Sequence, residues 1–433
     1  MIKKQVLFFI LSSCLSCLCI IGRLNNWPGN DKLIFLSVIL LLFVTIIIGI
    51  KTTRLKFWNI VLGIFWIFIT ISAVGISYRI LNFSASQWPI KIFAPEIRTI
   101  QTTYKSFNWA ISSPEKVKLK QQVIDNMLIN KLQNLEYLYS LLVIKNDTLV
   151  TEKYFRGTNK STAFNIASAT KTFTGVLTGI AIQKGFITSD STKIKSLIPH
   201  YFTSSTEQLK RNITIKHLLS MQAGWDNNNR INERGFNWVA SSMSNKLSFK
   251  PGSAFLYSDI EPHILVNIIE HQSHTEIQNF AQKYLCDKLN ITIADWKKTP
   301  NGQHYGMGSI VMTARDMARF GQLFIKNGCI DGQNIVDSTW IAKMTTNYVK
   351  KNLMPDNVPS KKYGYLIWLD NYANRDIFLA AGAGGQLIMI VPYLNIILVT
   401  TAKTDLPPHK LADNALHIQK VLTDFVKFEI DSK

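Results

Sequence analysis

The first 80 residues alternate long apolar runs with short charged joints. Val6–Gly22, Leu33–Ile50 and Phe57–Tyr78 contain no Asp, Glu, Lys or Arg. Each approaches the roughly 20 residues a helix needs to cross about 30 Å of hydrocarbon. A cleaved leader would account for the first run only. The pattern therefore predicts three transmembrane helices within residues 1–81. Lys3 and Lys4 precede the first run, and Lys51, Arg54 and Lys56 lie between the second and third. Arg23 and Lys32, between the first two, are offset in part by Asp31. The positive-inside tendency then places the N-terminus and second joint in the cytoplasm. Everything after about residue 80 is delivered to the outer, periplasmic side of a multi-pass inner-membrane protein.

Residues 82–135 read as a juxtamembrane connector and 136–433 as the main domain. Ser113-Pro114-Glu115-Lys116 has the form of a helix start, with Val123, Met127, Leu128 and Leu132 along one side of the helix it opens. Leu141–Ile144 and Thr148–Val150 flank the turn formers Asn146-Asp147, a hairpin signature. From about 165 to 350 the pattern is mostly helical. Strand character returns at Ile377–Ala380, Leu387–Val391 and Ile396–Thr401, and a last helix is expected over Leu411–Phe428. Strands at both ends with helices between them predict an α+β domain whose antiparallel sheet is closed by its N- and C-terminal segments.

The chain has 433 residues and a net charge of +20. On the outer side of a membrane, anionic lipid head groups or cell-wall polymers would suit that charge better than nucleic acid. No dense Lys/Arg tract is present, which favours plain surface solvation. Cys14, Cys17 and Cys19 fall in the first apolar run, and Leu11-Ser12-Ser13-Cys14 has the form of a lipoprotein cleavage site. The sequence after it stays apolar, against lipidation. Sequence does not decide whether Cys286 and Cys329 pair. His263, His271 and His274 lack the close pair of a zinc site, and no phosphate-binding Gly loop opens a helix, so no metal or cofactor is expected. His217, after the cap former Thr214, is expected to be structural. Trp225 and Tyr305 suit either a cleft wall or the core.

Ser168-Ala169-Thr170-Lys171 is an S-x-x-K motif. Roughly two such matches arise by chance in a chain of this kind, and Ser113–Lys116 is the other. Context separates them. Phe173, Val176, Leu177, Ile180 and Ala181 follow Ser168 at helical spacing, and the helix ends near Gly185. Ser168 thus starts a buried helix, whose dipole favours developing negative charge, and Lys171 lies one turn on. A cap serine beside a surface lysine would give the same four letters. Two further segments add to the pattern. Pro251–Asp259 ends in Tyr257-Ser258-Asp259, and Ala380-Ala381-Gly382-Ala383-Gly384-Gly385-Gln386 precedes a strand, where small residues let a substrate lie along the edge.

In these three places, and in Phe164–Ala167, His217–Gly224 and Thr313–Gly321, the sequence resembles the serine β-lactamase and penicillin-binding-protein superfamily. The closest branch is that of class C β-lactamases, esterases and 6-aminohexanoate-oligomer hydrolases, over residues 135–428. The resemblance implies a β-lactamase/transpeptidase-like antiparallel sheet flanked by helices, with an inserted helical subdomain, here preceded by the three transmembrane helices. It implies acylation of Ser168, proton removal by Lys171, and Tyr257 as second general acid/base. The backbone N–H groups of Ser168 and Ala383 would form the oxyanion hole, with Asp259, Gly382, Gly384, Gly385 and Gln386 at the substrate.

Two departures narrow this expectation. Asp259 replaces the family Asn of Tyr-x-Asn, either holding the Lys171 ammonium or turning away as a helix cap. Ala380-Ala381-Gly382 replaces Lys-Thr-Gly, removing the cation that meets a substrate carboxylate. The expectation is a serine hydrolase of carboxylic esters or amides. A D,D-peptidase or β-lactamase, a slowly deacylating sensor and an inactive scaffold are the alternatives.

Overall fold

The computed structural model describes residues 97–99, 107–202, 208–225, 237–349, 353 and 358–433. Contacts divide the chain into two units, residues 1–91 with 230–241 and residues 92–229 with 242–433. Of the first unit only 237–241, at the start of the helix Trp238–Ser244, are described.

The second unit holds the strands. In chain order they are β1 (Ile97–Thr99), β2 (Leu138–Lys145), β3 (Thr148–Tyr154), β4 (Thr162–Asn165), β5 (Asp295–Trp296), β6 (Ile310–Thr313), β7 (Cys329–Ile330), β8 (Gln333–Asn334), β9 (Lys362–Tyr363), β10 (Trp368–Tyr372), β11 (Arg375–Gly382), β12 (Gln386–Val391) and β13 (Ile396–Ala402). The main sheet runs β3-β2-β13-β12-β11-β10-β9, and a smaller one runs β1-β4-β6-β5. Every ladder of the main sheet is antiparallel. Segments from the two ends of the domain meet where β2 pairs with β13, as the distribution of strand patterns predicts. The β2–β3 hairpin turns at Asn146 and Asp147, which take φ of 51° and 61°. Asn and Asp tolerate that left-handed region better than most residues.

Four helices position the site: α1 (Thr170–Gln183), α2 (Ile260–Ser273), α3 (Ala314–Ile325) and α4 (Pro408–Asp431). Residues 170–181 of α1 are all buried, so it is a core helix with apolar residues around most of its girth. Phe173 stacks on Phe320 of α3 at 3.6 Å and 12°. In turn, α3 closes on the sheet at Gly321, where a Cβ would lie 3.0 Å from Ile388. Leu387, the preceding residue, projects to the opposite face, and there it shares a cleft with Leu411 of α4. The sheet is therefore covered on both faces.

Sequence and structure differ on several points. Among the described residues no helix is long and apolar enough to cross a membrane. The longest, α4, has 24 residues, but it sets Lys410, Asp413, Lys420, Asp424 and Lys427 against one buried stripe that includes Ile418, Leu422 and Phe425. For the described residues the fold class is therefore corrected to α+β with no membrane-crossing helix. The three apolar runs that suggested them, Val6–Gly22, Leu33–Ile50 and Phe57–Tyr78, lie outside the described residues. The Ser113–Lys116 start yields only a 3₁₀ turn, Glu115–Val117, stopped by Lys118 at φ 62°. Helix resumes at Gln121 and buries Ile124, Leu128 and Leu132. Cys286 and Cys329 are both free thiols.

Candidate active site

The approach to Ser168 is set by β4. Asn165, its last residue, accepts a 2.9 Å hydrogen bond from the Ala167 N–H, and the Ile166 N–H donates to the Ile310 carbonyl at 2.9 Å. Together they hold Ala167 at φ 47°, a left-handed conformation costly for a residue with a Cβ. The chain then enters the 3₁₀ turn Ala167–Ala169 and α1. Ser168 is half-buried at this junction. The end of β11 comes close to the same turn: a Cβ on Gly382 would lie 2.4 Å from the Ile166 carbonyl oxygen. Only glycine permits that approach, which brings Ala383 and Ser168 to one cleft.

Lys171 is 2% exposed and its ammonium has three acceptors. Nζ donates to Ser168 Oγ at 3.0 Å, to Asp259 Oδ1 at 2.6 Å and to the Met307 carbonyl at 3.0 Å. The segment bearing Met307 is wedged between helices. Thr174 Oγ1 of α1 donates to the Gly306 carbonyl, and a Cβ on Gly306 would lie 2.1 Å from the Pro262 carbonyl of α2.

Asp259 begins α2 but its side chain caps nothing; the carboxylate is turned to Lys171. Of the two roles open to it from sequence, the structure has the ion pair. Burial, the largest influence, pushes the Lys171 ammonium toward losing its proton. The Asp259 carboxylate and the Tyr257 hydroxyl oppose it and prevail, so its pKa stands above the ordinary lysine value. Held this way, the ammonium carries its proton at rest.

The Tyr257 ring lies 4.7 Å from Lys171 Nζ. It stacks on Trp368 at 5.4 Å and 19° and meets the edge of Tyr363 at 6.2 Å. Trp368 opens β10 opposite Leu379, so the β10 ladder stops short of Ala380–Gly382, which pair only with β12.

The Gly-rich segment divides into two parts. Ala381, Gly382 and Ala383 line a cleft of about 360 Å³ together with Ser168 and Tyr257. Gly384 and Gly385 shape the turn behind it, at φ 81° and 106°. Their carbonyls accept hydrogen bonds from Asn414 and Thr400, at 2.6 and 2.8 Å. The Gln386 amide is fully buried and ties β12 to β13: Nε2 donates to the Ala402 carbonyl, and Oε1 accepts from the Ala402 N–H. Thus Ser168, Lys171, Tyr257, Asp259, Gly382 and Ala383 come together, while Gly384, Gly385 and Gln386 support the wall.

Three parts of the site escaped sequence reasoning. The Met307 carbonyl is backbone and has no residue signature. Trp368 lies far along the chain from Tyr257, and the α4 wall reads as an ordinary amphipathic helix. Among the described residues no group of three or more His, Cys, Asp or Glu is placed to hold a metal ion. His217 completes a capping box with Thr214, and Trp225 and Tyr305 are both buried.

Comparison with known proteins bears on the fold and the family. The chain is 23% identical over 295 residues to an uncharacterized protein of Alkalihalophilus pseudofirmus, covering 60% of this chain and 82% of that one. A Bacillus anthracis structure provisionally named a 6-aminohexanoate-dimer hydrolase superposes with a TM-score of 0.56 at 18% identity, over 76% of this chain and 92% of its own. A D-stereospecific amidohydrolase from a Streptomyces species gives 0.52 at 14% identity, over 66% and 94%. At such identities the structural likeness establishes the fold alone. The family itself is established by the sequence: residues 139–423, which include the S-x-x-K turn, Tyr257 and the whole of β11, match the Beta-lactamase family model, and the chain belongs to that family.

Proposed function

We propose that the protein is a serine hydrolase that cleaves carboxylic ester or amide bonds through an acyl-enzyme on Ser168. The observation that carries this reading is the convergence of Lys171 on Ser168 Oγ at 3.0 Å, at the mouth of the cleft that Tyr257 and Ala383 share. Ser168 attacks the carbonyl, and its N–H and that of Ala383 receive the developing oxyanion. Lys171 keeps its proton because Asp259 holds it. Tyr257, acting as the phenolate that the adjacent ammonium stabilises, therefore takes the Ser168 proton and becomes the neutral hydroxyl. The same hydroxyl then protonates the leaving group and deprotonates the water that releases the acyl group.

The substrate side of the reading rests on charge. Ala380, buried on β11, stands where a β-lactamase or transpeptidase carries its lysine, so a substrate carboxylate meets no counter-ion there. Short-chain p-nitrophenyl esters are expected to be turned over faster than a chromogenic cephalosporin by the purified protein. The reverse order would sink the ester or amide assignment.

The assigned protonation states make a second prediction. If catalysis needs the Lys171 ammonium, kcat/KM falls as pH rises through the pKa of that group, which Asp259 holds high. Asp259→Asn removes the supporting anion, so the alkaline limb of the pH profile should move to lower pH. An acid limb moving to lower pH instead would show that neutral Lys171 is the base.

A further inference from the structure

The cleft beside Ser168 says more about what is cleaved. One wall is the free edge Ala381–Ala383. Trp368 and Pro359 form another, and α4 supplies Leu411, Ala412, Ala415 and Leu416. None of the described residues lining it is charged. Of its two amide side chains, Gln386 is bound to Ala402, and Gln419 donates to the Pro359 carbonyl at 2.7 Å. That leaves Ser168 and Tyr257 as the polar side chains facing a bound molecule, both of which the reaction uses.

The apolar wall is built in, because α4 is locked to the catalytic turn. Asn414 holds the Gly384 carbonyl, and Ile418 packs where a Cβ on Gly385 would lie 2.4 Å away. A volume of about 360 Å³ sits at the small end of sites that enclose small-molecule ligands.

We propose that this cleft selects substrates carrying an uncharged aliphatic chain of several carbons next to the scissile bond. Resting on the acyl-enzyme reading above, the inference names the substrate class of that same site. The chain can belong to the acyl group or to the leaving alcohol or amine, and the chemistry of recognition is the same. An anionic chain of equal length would enter with no partner for its charge.

The test uses the full chain and two ester series: p-nitrophenyl esters from acetate to decanoate, and alkyl acetates from methyl to octyl. In the series whose varied chain enters the cleft, kcat/KM should rise by two- to fourfold for each added methylene, up to about six carbons. It should then level as the cleft fills. The series that rises identifies the acyl or the leaving side. Replacing the chain terminus by a carboxylate should cost at least about tenfold. In the series that rises, Ala415→Phe, at a half-exposed position that tolerates bulk, should lower the ratio of the six-carbon to the shortest ester at least about tenfold by filling the cleft.

Occupancy is read separately from chemistry by the thermal shift of Ser168→Ala protein. There the longer esters should raise Tm more than acetate does. Flat series with an active enzyme, or equal thermal shifts, overturn the cleft assignment and leave the hydrolase reading standing. Graded thermal shifts without any hydrolysis by the unmodified protein support the cleft and overturn the hydrolase reading.

Discussion

Ser168→Ala should lower kcat/KM for any ester substrate by roughly four to six orders of magnitude, the scale on which loss of an activated nucleophile is felt. The fold should hardly notice. Ser168 Oγ accepts one described hydrogen bond, from Lys171, and that ammonium retains Asp259 and the Met307 carbonyl. Chemical denaturation should therefore agree within about 1 kcal/mol between variant and parent. A fluorophosphonate probe should label the parent at a single position and leave the variant unlabelled. Residual turnover within tenfold of the parent would mean that another residue is acylated.

Lys171→Ala should be the second most damaging change, and it should act on chemistry and stability together. Loss of the ammonium removes the charge beside Tyr257 and Ser168. Acylation, read as the pre-steady-state burst, should slow by about two to four orders of magnitude. The same substitution leaves a cavity at a 2% exposed position and strips Asp259 of its counter-ion. Breaking a fully buried pair costs about 3–5 kcal/mol. Asp259 is 38% exposed and water can solvate what remains, so about 2–3 kcal/mol is expected. Combining the change with Asp259→Ala should restore part of that stability and none of the activity. A burst rate within tenfold of the parent would remove Lys171 from the chemistry.

The parts of the site legible in sequence were those whose geometry is local. Ser168 and Lys171 sit one helical turn apart, so their meeting follows once an apolar stripe marks a core helix. The β2–β3 hairpin and the strands β11 to β13 are likewise written in alternating and turn-forming residues. Contacts across the chain were less legible. Asp259 left two roles open because a residue at a helix start can cap or turn away. Only the packing of α2 against α1, with the Met307 segment between them, aims it at Lys171. Gln386 stood beside the Gly-rich run and looked available to substrate, yet its partner Ala402 lies on the next strand. The α4 wall was hidden for another reason. Its Leu and Ala positions fit the periodicity of any surface helix, and nothing local says that part of the stripe faces a cleft.

The pairing of β2 with β13 has a consequence for how the molecule reaches its working state. Lys145 and Ile396 are register partners at one end of the β2–β13 ladder, yet almost the whole domain separates them along the chain. Bringing such distant strands together is slow, because the entropy of closing so large a loop is lost before the ladder repays it. Activity should therefore return late in refolding, in step with the final sheet closure. Until then, α3 and the turn at Ser168 have no completed surface to settle on. The unpaired edges of β2 and β13 are exposed for that whole interval, and they make the refolding chain most prone to aggregate at that stage.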